Sequence, residues 1–284
     1  MKRPNILLIY TDQQRWDTIA AAGNPHISTP NLDALAGQGA LFDHHYVNCP
    51  VCQPSRMSML SGQYPQSLGI RSNGVEMPPD IPCIQHYLKR YGYRTGNLGK
   101  LHFKNHASHS RNHAELHPDY GFDTLVVSDE PGCYEDAYLQ WVREKDASQV
   151  ENCRCSTPPD WKGKPVEHKP RSPDRPYIFE GPEELTHSAF VAEETSEFIR
   201  RTGPEPFFCI AGFYAPHSPI NPPQRFLDLY ETADMPLPQR NPGENWKDHS
   251  DDHWRSVKAH YYALISHIDD QVGQILRALE ESGK

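Results

Sequence analysis

The sequence predicts an α/β domain in which a largely parallel sheet is covered on both faces by helices. Three observations lead there. Short apolar runs at residues 5–10 and 207–213 read as strands buried on both faces, as in parallel sheets, and residues 93–98 read as a further strand. These runs alternate with stretches of helical pattern, which is the signature of a layered α/β architecture. Each run also ends in chemically capable polar residues: Asp12 and Gln13, then Lys100 and His102, then His217. Ligands of open α/β sheets bind outside the carboxyl ends of the strands.

Taken in order, Asn5 to Tyr10 is the first buried strand. Thr29 offers an N-cap and Pro30 the first position of a helix that Gly37 and Gly39 close. Residues 40–47 read as a second strand leading into the loop at Cys52. Pro54 to Leu60 supplies the first turns of a helix, and Ile84 to Tyr91 forms another, closed by Gly92. The strand at 93–98 delivers Gly99-Lys100-Leu101-His102. A helix is expected over 183–201, and the strand at 207–213 runs into Ala215-Pro216-His217-Ser218-Pro219. The last element is a long amphipathic helix over 256–279, whose apolar positions Tyr261, Leu264, Ile265, Ile268, Val272, Ile275, Leu276 and Leu279 follow the 3.6-residue period. One domain is expected over 1–284. Residues 104–180, rich in His, Pro and charge with weak periodicity, are expected to leave the sheet as a loop-rich excursion.

A chain of 284 residues is ample for a substantial core. Its net charge of −9 argues against non-specific nucleic-acid binding, although a local pocket can still be positive. No stretch approaches the roughly 20 apolar residues of a membrane span. The first apolar run is too short for a signal peptide. Seven irregularly placed cysteines fit reduced thiols, so a cytoplasmic location is expected.

The chemistry concentrates at a few positions. In Cys52-Gln53-Pro54-Ser55-Arg56, Pro54 and Ser55 can open a helix, which puts residue 52 near the positive end of its dipole. Arg56 can reach back as a fixed cation. Such a pocket suits sulfate or phosphate, and a bare thiolate nucleophile is also compatible with it. Asp12 is a hard oxygen ligand for a cation. On an extended strand end Lys100 and His102 point the same way and converge on one anion. The six other cysteines read as structural thiols. His106, His109, His113 and His117 match no metal-ligand spacing and read as loop residues.

The string Cys52-x-Pro54-Ser55-Arg56, followed by Leu60-Ser61-Gly62, resembles the modification motif of type I sulfatases. The resemblance continues through Gly92-Tyr93-Arg94-Thr95, Gly99-Lys100-Leu101-His102 and His217. It implies an alkaline-phosphatase-like fold, with a mostly parallel mixed sheet sandwiched by helices. It also implies a sulfuric ester hydrolase in which a maturation enzyme oxidises Cys52 to formylglycine, whose hydrated aldehyde attacks sulfur. A divalent cation, by default calcium but with magnesium and manganese as alternatives, would be held by Asp12, Gln13 and residue 52. Arg56 and Lys100 would stabilise the charged oxygens, His217 would donate to the ester, and His102 would assist the release of sulfate. The substrate would be a small aryl, alkyl or sugar sulfate.

Gln13 departs from the paired Asp of many sulfatases. It resembles choline-sulfatase-like and phosphonate-monoester-hydrolase-like relatives, so phosphonate monoester or phosphodiester hydrolysis is the alternative. In the family a further strand carrying Asp with Asn or His completes the metal site, whereas this sequence ends at Gly283-Lys284. The expectation is therefore an incomplete catalytic domain with its C-terminal part missing, and an inactive truncated fragment is the further alternative.

Overall fold

Four parallel strands form one sheet in the order β1-β4-β2-β3: β1 (Ile6–Asp12), β2 (Arg94–Gly99), β3 (Thr124–Val127) and β4 (Phe207–Pro216). This computed structural model describes residues 3–104, 118–156, 169, 171–239 and 249–284. The helices are α1 (Pro30–Gln38), α2 (Cys52–Ser61), α3 (Pro65–Leu68), α4 (Ile84–Arg90), α5 (Ala137–Asp146), α6 (His187–Arg201), α7 (Gln224–Leu227) and α8 (Asp251–Glu281).

The central strand explains the two-faced burial. All ten residues of β4 are buried. Its side chains alternate between faces, as the strand period requires. Phe207, Cys209, Ala211 and Phe213 join a core with Val191 and Ile199 of α6 and Ile268, Val272 and Ile275 of α8. Phe208 and Ile210 join a second core with Met57 and Leu60 of α2. Strand β4 is thus inserted late in the sequence between β1 and β2, with a separate core on each side.

Local chemistry sets several element ends. Thr186 accepts a hydrogen bond from the Ala189 amide and starts α6, so the helix expected over 183–201 divides into a short 3-10 turn at Glu183–Leu185 and α6 proper. Thr29 does not cap α1 with its side chain. The carboxylate of Asp269 in α8 does so instead, accepting from the amides of Asn31 (3.1 Å) and Leu32 (2.7 Å). This contact across the sequence fixes α1 on α8.

Two expectations are corrected. Residues 40–47 form no strand, and Phe42, Tyr46 and Val47 are 75%, 82% and 63% exposed. Their β-favouring side chains find no partner strand among the described residues, and propensity without pairing does not make a sheet. The stretch 104–180 does not leave the sheet throughout. Thr124–Val127 is an edge strand paired with β2, and α5 buries Tyr138, Leu139, Trp141 and Val142 in the main core. His106, His109, His113 and His117 lie outside the described residues. Among the described residues no helix is long and apolar enough to cross a membrane.

Two buried histidines make the fold sensitive to acid. Burial pushes His187, at the start of α6, and His267, inside α8, down to about 3. An unfolded histidine titrates near ~6.5, so on acidification the unfolded chain takes up protons that the folded chain refuses. Stability is therefore full above that value and falls as pH drops from ~6.5 towards 3, by about 1.4 kcal/mol per pH unit for each group. Urea unfolding at pH 7 and pH 5 should show a lower midpoint at pH 5, and His267→Gln should reduce the difference. Equal midpoints would contradict the neutral assignment.

Candidate active site

The site forms where the carboxyl ends of three strands meet the N-terminus of a helix. Asp12 is the last residue of β1, Lys100 follows β2 directly, and His217 follows β4 directly. Helix α2 contributes Cys52, its first residue, and Arg56 one turn on. The β1–β4 register shifts between Tyr10 and Asp12, a bulge that re-aims the strand end.

Asp12 is the hub. Its Oδ2 faces the Lys100 ammonium at 2.9 Å and accepts from Arg56 Nη2 at 3.2 Å. Its Oδ1 accepts from the Cys52 thiol at 3.5 Å. Arg56 Nη1 also donates to the Lys100 carbonyl at 2.9 Å, which ties helix to strand end. Burial alone would raise the Asp12 carboxyl, but Lys100 and Arg56 more than offset this and hold it far below the usual carboxylate range. Burial likewise opposes the charge on Lys100, and Asp12 and Glu130 overcome it, so the ammonium stays protonated. Two cations against one carboxylate leave this buried corner net positive, as an anion site requires.

Aromatic rings support both cations. The Arg56 guanidinium lies 4.5 Å from the centre of the Tyr10 ring, and the Lys100 ammonium 4.5 Å from that of Tyr214. The Tyr214 ring is also 4.7 Å from that of His217. Neither tyrosine stood out in the sequence, because Tyr10 closes the first apolar run and Tyr214 lies just past the predicted strand at 207–213. The available signal was position, near the strand ends that carry the charged groups.

Burial and Lys100 lower the His217 pKa, so the ring is neutral at neutral pH. Its Nδ1 is 2.8 Å from the Ser218 carbonyl, which can only accept, so Nδ1 carries the proton and Nε2 the lone pair. His217 thus offers an acceptor or ligand nitrogen; donation to an ester would need a second proton. Burial raises the Cys52 thiol, so unmodified Cys52 is protonated at neutral pH and a poor nucleophile.

The ligand atoms of Asp12, Cys52 and His217 lie within 4.8 Å of one another. A carboxylate, a neutral imidazole and the residue 52 side chain around one point fit a divalent cation. Gln13 and His102 are held through their backbones. Gln13 is exposed, at a left-handed φ of 61°, and its carbonyl accepts from the Tyr261 hydroxyl at 2.7 Å. His102 is buried, with a φ of 56°, and its amide donates to Asp129 Oδ1 at 2.7 Å, as does that of Leu101 at 2.8 Å. Asp129 is a positioning residue that local sequence pattern did not reveal.

A parallel sheet between helices, with Asp, His and Lys on neighbouring strand ends around a Cys-x-Pro-Ser-Arg helix start, matches the alkaline-phosphatase-like fold expected from the sequence. The sulfatase family model matches residues 4–284, and the chain belongs to the sulfatase family. It is 32% identical over 315 residues to an arylsulfatase of Clostridium perfringens, a match covering 99% of this chain and 60% of that protein. It is 26% identical to a choline-sulfatase of Rhizobium meliloti, over 98% of this chain and 54% of that one. Among solved structures it is similar to the phosphonate monoester hydrolase of Agrobacterium radiobacter, with a TM-score of 0.77, 24% identity, and coverage of 99% of this chain and 60% of that chain. The chain therefore spans little more than half the length of such relatives.

Proposed function

We propose that this chain carries the nucleophile-bearing part of a sulfuric ester hydrolase that cleaves a sulfate monoester through formylglycine at residue 52 and a divalent cation, calcium. The observation that carries the reading is the convergence of Asp12, Cys52, Arg56, Lys100 and His217 on one buried, net-positive corner. Formylglycine supplies a hydroxyl nucleophile where the protonated thiol offers none, and the cation supplies positive charge beside it.

The chain's own groups do the rest. Asp12, the lone-pair nitrogen of His217 and residue 52 would hold the cation, with Gln13 as a neighbouring carbonyl donor. Lys100 and Arg56, held by Tyr214 and Tyr10, stabilise negative charge as it develops on the ester oxygens. Their fixed positions spare reorganisation during the reaction. His102 is assigned the proton transfer that accompanies sulfate release. The substrate is a small aryl, alkyl or sugar sulfate, and conversion of Cys52 needs a separate maturation enzyme.

The second reading, hydrolysis of a phosphonate monoester or phosphodiester, is favoured by Gln13 and by the fold similarity to the phosphonate hydrolase. One experiment separates the two. The protein is assayed on matched aryl sulfate and aryl phosphonate esters while the residue 52 peptide is weighed by mass spectrometry. Preferential sulfate turnover with an aldehyde at residue 52 is expected. Preferential phosphonate turnover would favour the second reading, and full activity with an unmodified thiol would remove the proposed nucleophile.

A further inference from the structure

Outside the site just described, the described residues contain a second cluster of nucleophilic groups. Cys133 and Cys155 are both buried, with their sulfurs 3.6 Å apart. Arg171 Nη1 donates to both, at 2.6 Å to Cys133 and 3.2 Å to Cys155. The other end of the guanidinium is fixed by Glu130 and by the Tyr214 hydroxyl, the latter at 2.6 Å. As a thiol, Cys155 can also donate to the Pro131 carbonyl at 2.9 Å. A guanidinium bonded to both sulfurs occupies the ground a soft metal ion would need, so the arrangement favours thiol chemistry over metal binding.

The two thiols are made unequal. A hydrogen bond from Cys133 lowers the Cys155 pKa, and the Arg171 charge adds to the effect, whereas burial holds Cys133 well above the ordinary thiol range. This makes Cys155 the more readily ionised of two thiols in contact, the asymmetry that a reactive dithiol requires. Together with Cys153, Tyr177, His187, Tyr214 and His217, Cys155 lines a cavity of about 50 Å³, which has room for water-sized molecules.

We propose that Cys133 and Cys155 are a dithiol site that a peroxide converts reversibly to a disulfide. The Cys155 thiolate attacks one peroxide oxygen and the O–O bond breaks. The departing hydroxide takes a proton from solvent and leaves as water, and Cys155 becomes a sulfenic acid. The Cys133 sulfur then attacks the sulfenyl sulfur, the S–O bond breaks, and the Cys133 proton leaves with the hydroxyl as a second water. Two thiols are oxidised to one disulfide, and one peroxide is reduced to two waters. The site adjoins the candidate active site through Arg171 and Tyr214, whose ring lies beneath Lys100.

The test uses the wild-type chain. It is exposed to hydrogen peroxide under native conditions, the remaining thiols are blocked, and the digest is analysed by mass spectrometry. A peptide linking Cys133 to Cys155 is expected, two hydrogens lighter and reversed by dithiothreitol. It should form at least about tenfold faster than any oxidation of Cys83, whose thiol burial pushes up to about 11. In Cys133→Ser, Cys155 should stop at a sulfenic acid that dimedone traps when the oxidised protein is unfolded in its presence. Absence of the linked peptide, a link from Cys155 to Cys153 instead, or oxidation no faster than at Cys83 would overturn the proposal.

Discussion

Asp12→Asn is expected to lower the stability of the chain by about 3–5 kcal/mol, because it removes one partner of a buried ionic cluster. The Lys100 side chain is fully buried and that of Arg56 nearly so, and both meet the same carboxylate oxygen. An amide of the same shape keeps the packing but leaves two buried cations facing a neutral group. Glu130, which also acts on Lys100, places the expected loss towards the lower end of that range.

The pH dependence gives the sign of the effect. The folded carboxyl is held far below its unfolded value of ~3.9, so its stabilisation is complete above that value and declines as pH falls below it. Urea unfolding should show the full gap between wild type and variant at pH 7 and a smaller one at pH 3. A second change, Lys100→Met, should recover part of the loss when added to Asp12→Asn, which a double-mutant cycle measures. For the proposed cation site, calorimetry with calcium should show binding to wild type that Asp12→Asn weakens. A variant as stable as wild type at pH 7 would refute the ion-pair account.

Gly99→Ala is expected to be the most disruptive single-methyl change near the site, costing more than about 4 kcal/mol or preventing folding. Gly99, the last residue of β2, faces Gly212 inside β4, and the Lys100 amide donates to the Gly212 carbonyl at 2.7 Å. Gly99 has a φ of +97°, and a Cβ there would overlap the Gly212 carbonyl oxygen and lie 2.7 Å from Val191 Cγ2. The obstacle on one side is backbone, which cannot rotate away. Gly69→Ala is the matched control, with a φ of +71° and nothing within 4 Å of the added Cβ. It should cost only about 1–2 kcal/mol for the left-handed backbone. Similar unfolding midpoints for the two variants would show that strand approach at Gly99 is not what holds Lys100 in place.

The groups that were legible in the sequence are those whose role is local. Asp12, Lys100 and His217 follow strands, so pattern placed them at the carboxyl edge of a sheet, and the Pro-Ser pair placed Cys52 and Arg56 at a helix start. What was not legible depends on distant contacts or on short signals. Thr124–Val127 is a four-residue strand embedded in polar sequence, and only pairing with β2 makes it one. Helix α5 did carry a local start signal, Asp136 accepting from the Leu139 amide at 3.0 Å, but its His- and Pro-rich surroundings masked it. Residues 40–47 carried β-favouring side chains that no neighbouring strand took up. The bonds from Arg171 to Cys133 and Cys155 span 38 and 16 residues, and no periodicity encodes them.

The insertion of β4 between β1 and β2 also has a consequence for how the chain is made. Among the described residues β1 pairs only with β4, and the Phe207 amide reaches back to the Asn5 side chain across 202 residues. During vectorial synthesis at about 5–20 residues per second, β1 leaves the ribosome about 10–40 s before its partner exists. For that interval Ile6 to Tyr10 is an apolar strand with no ladder. The same wait applies to the candidate active site, since His217 arrives with β4 and joins Asp12 only once that strand has threaded into the sheet.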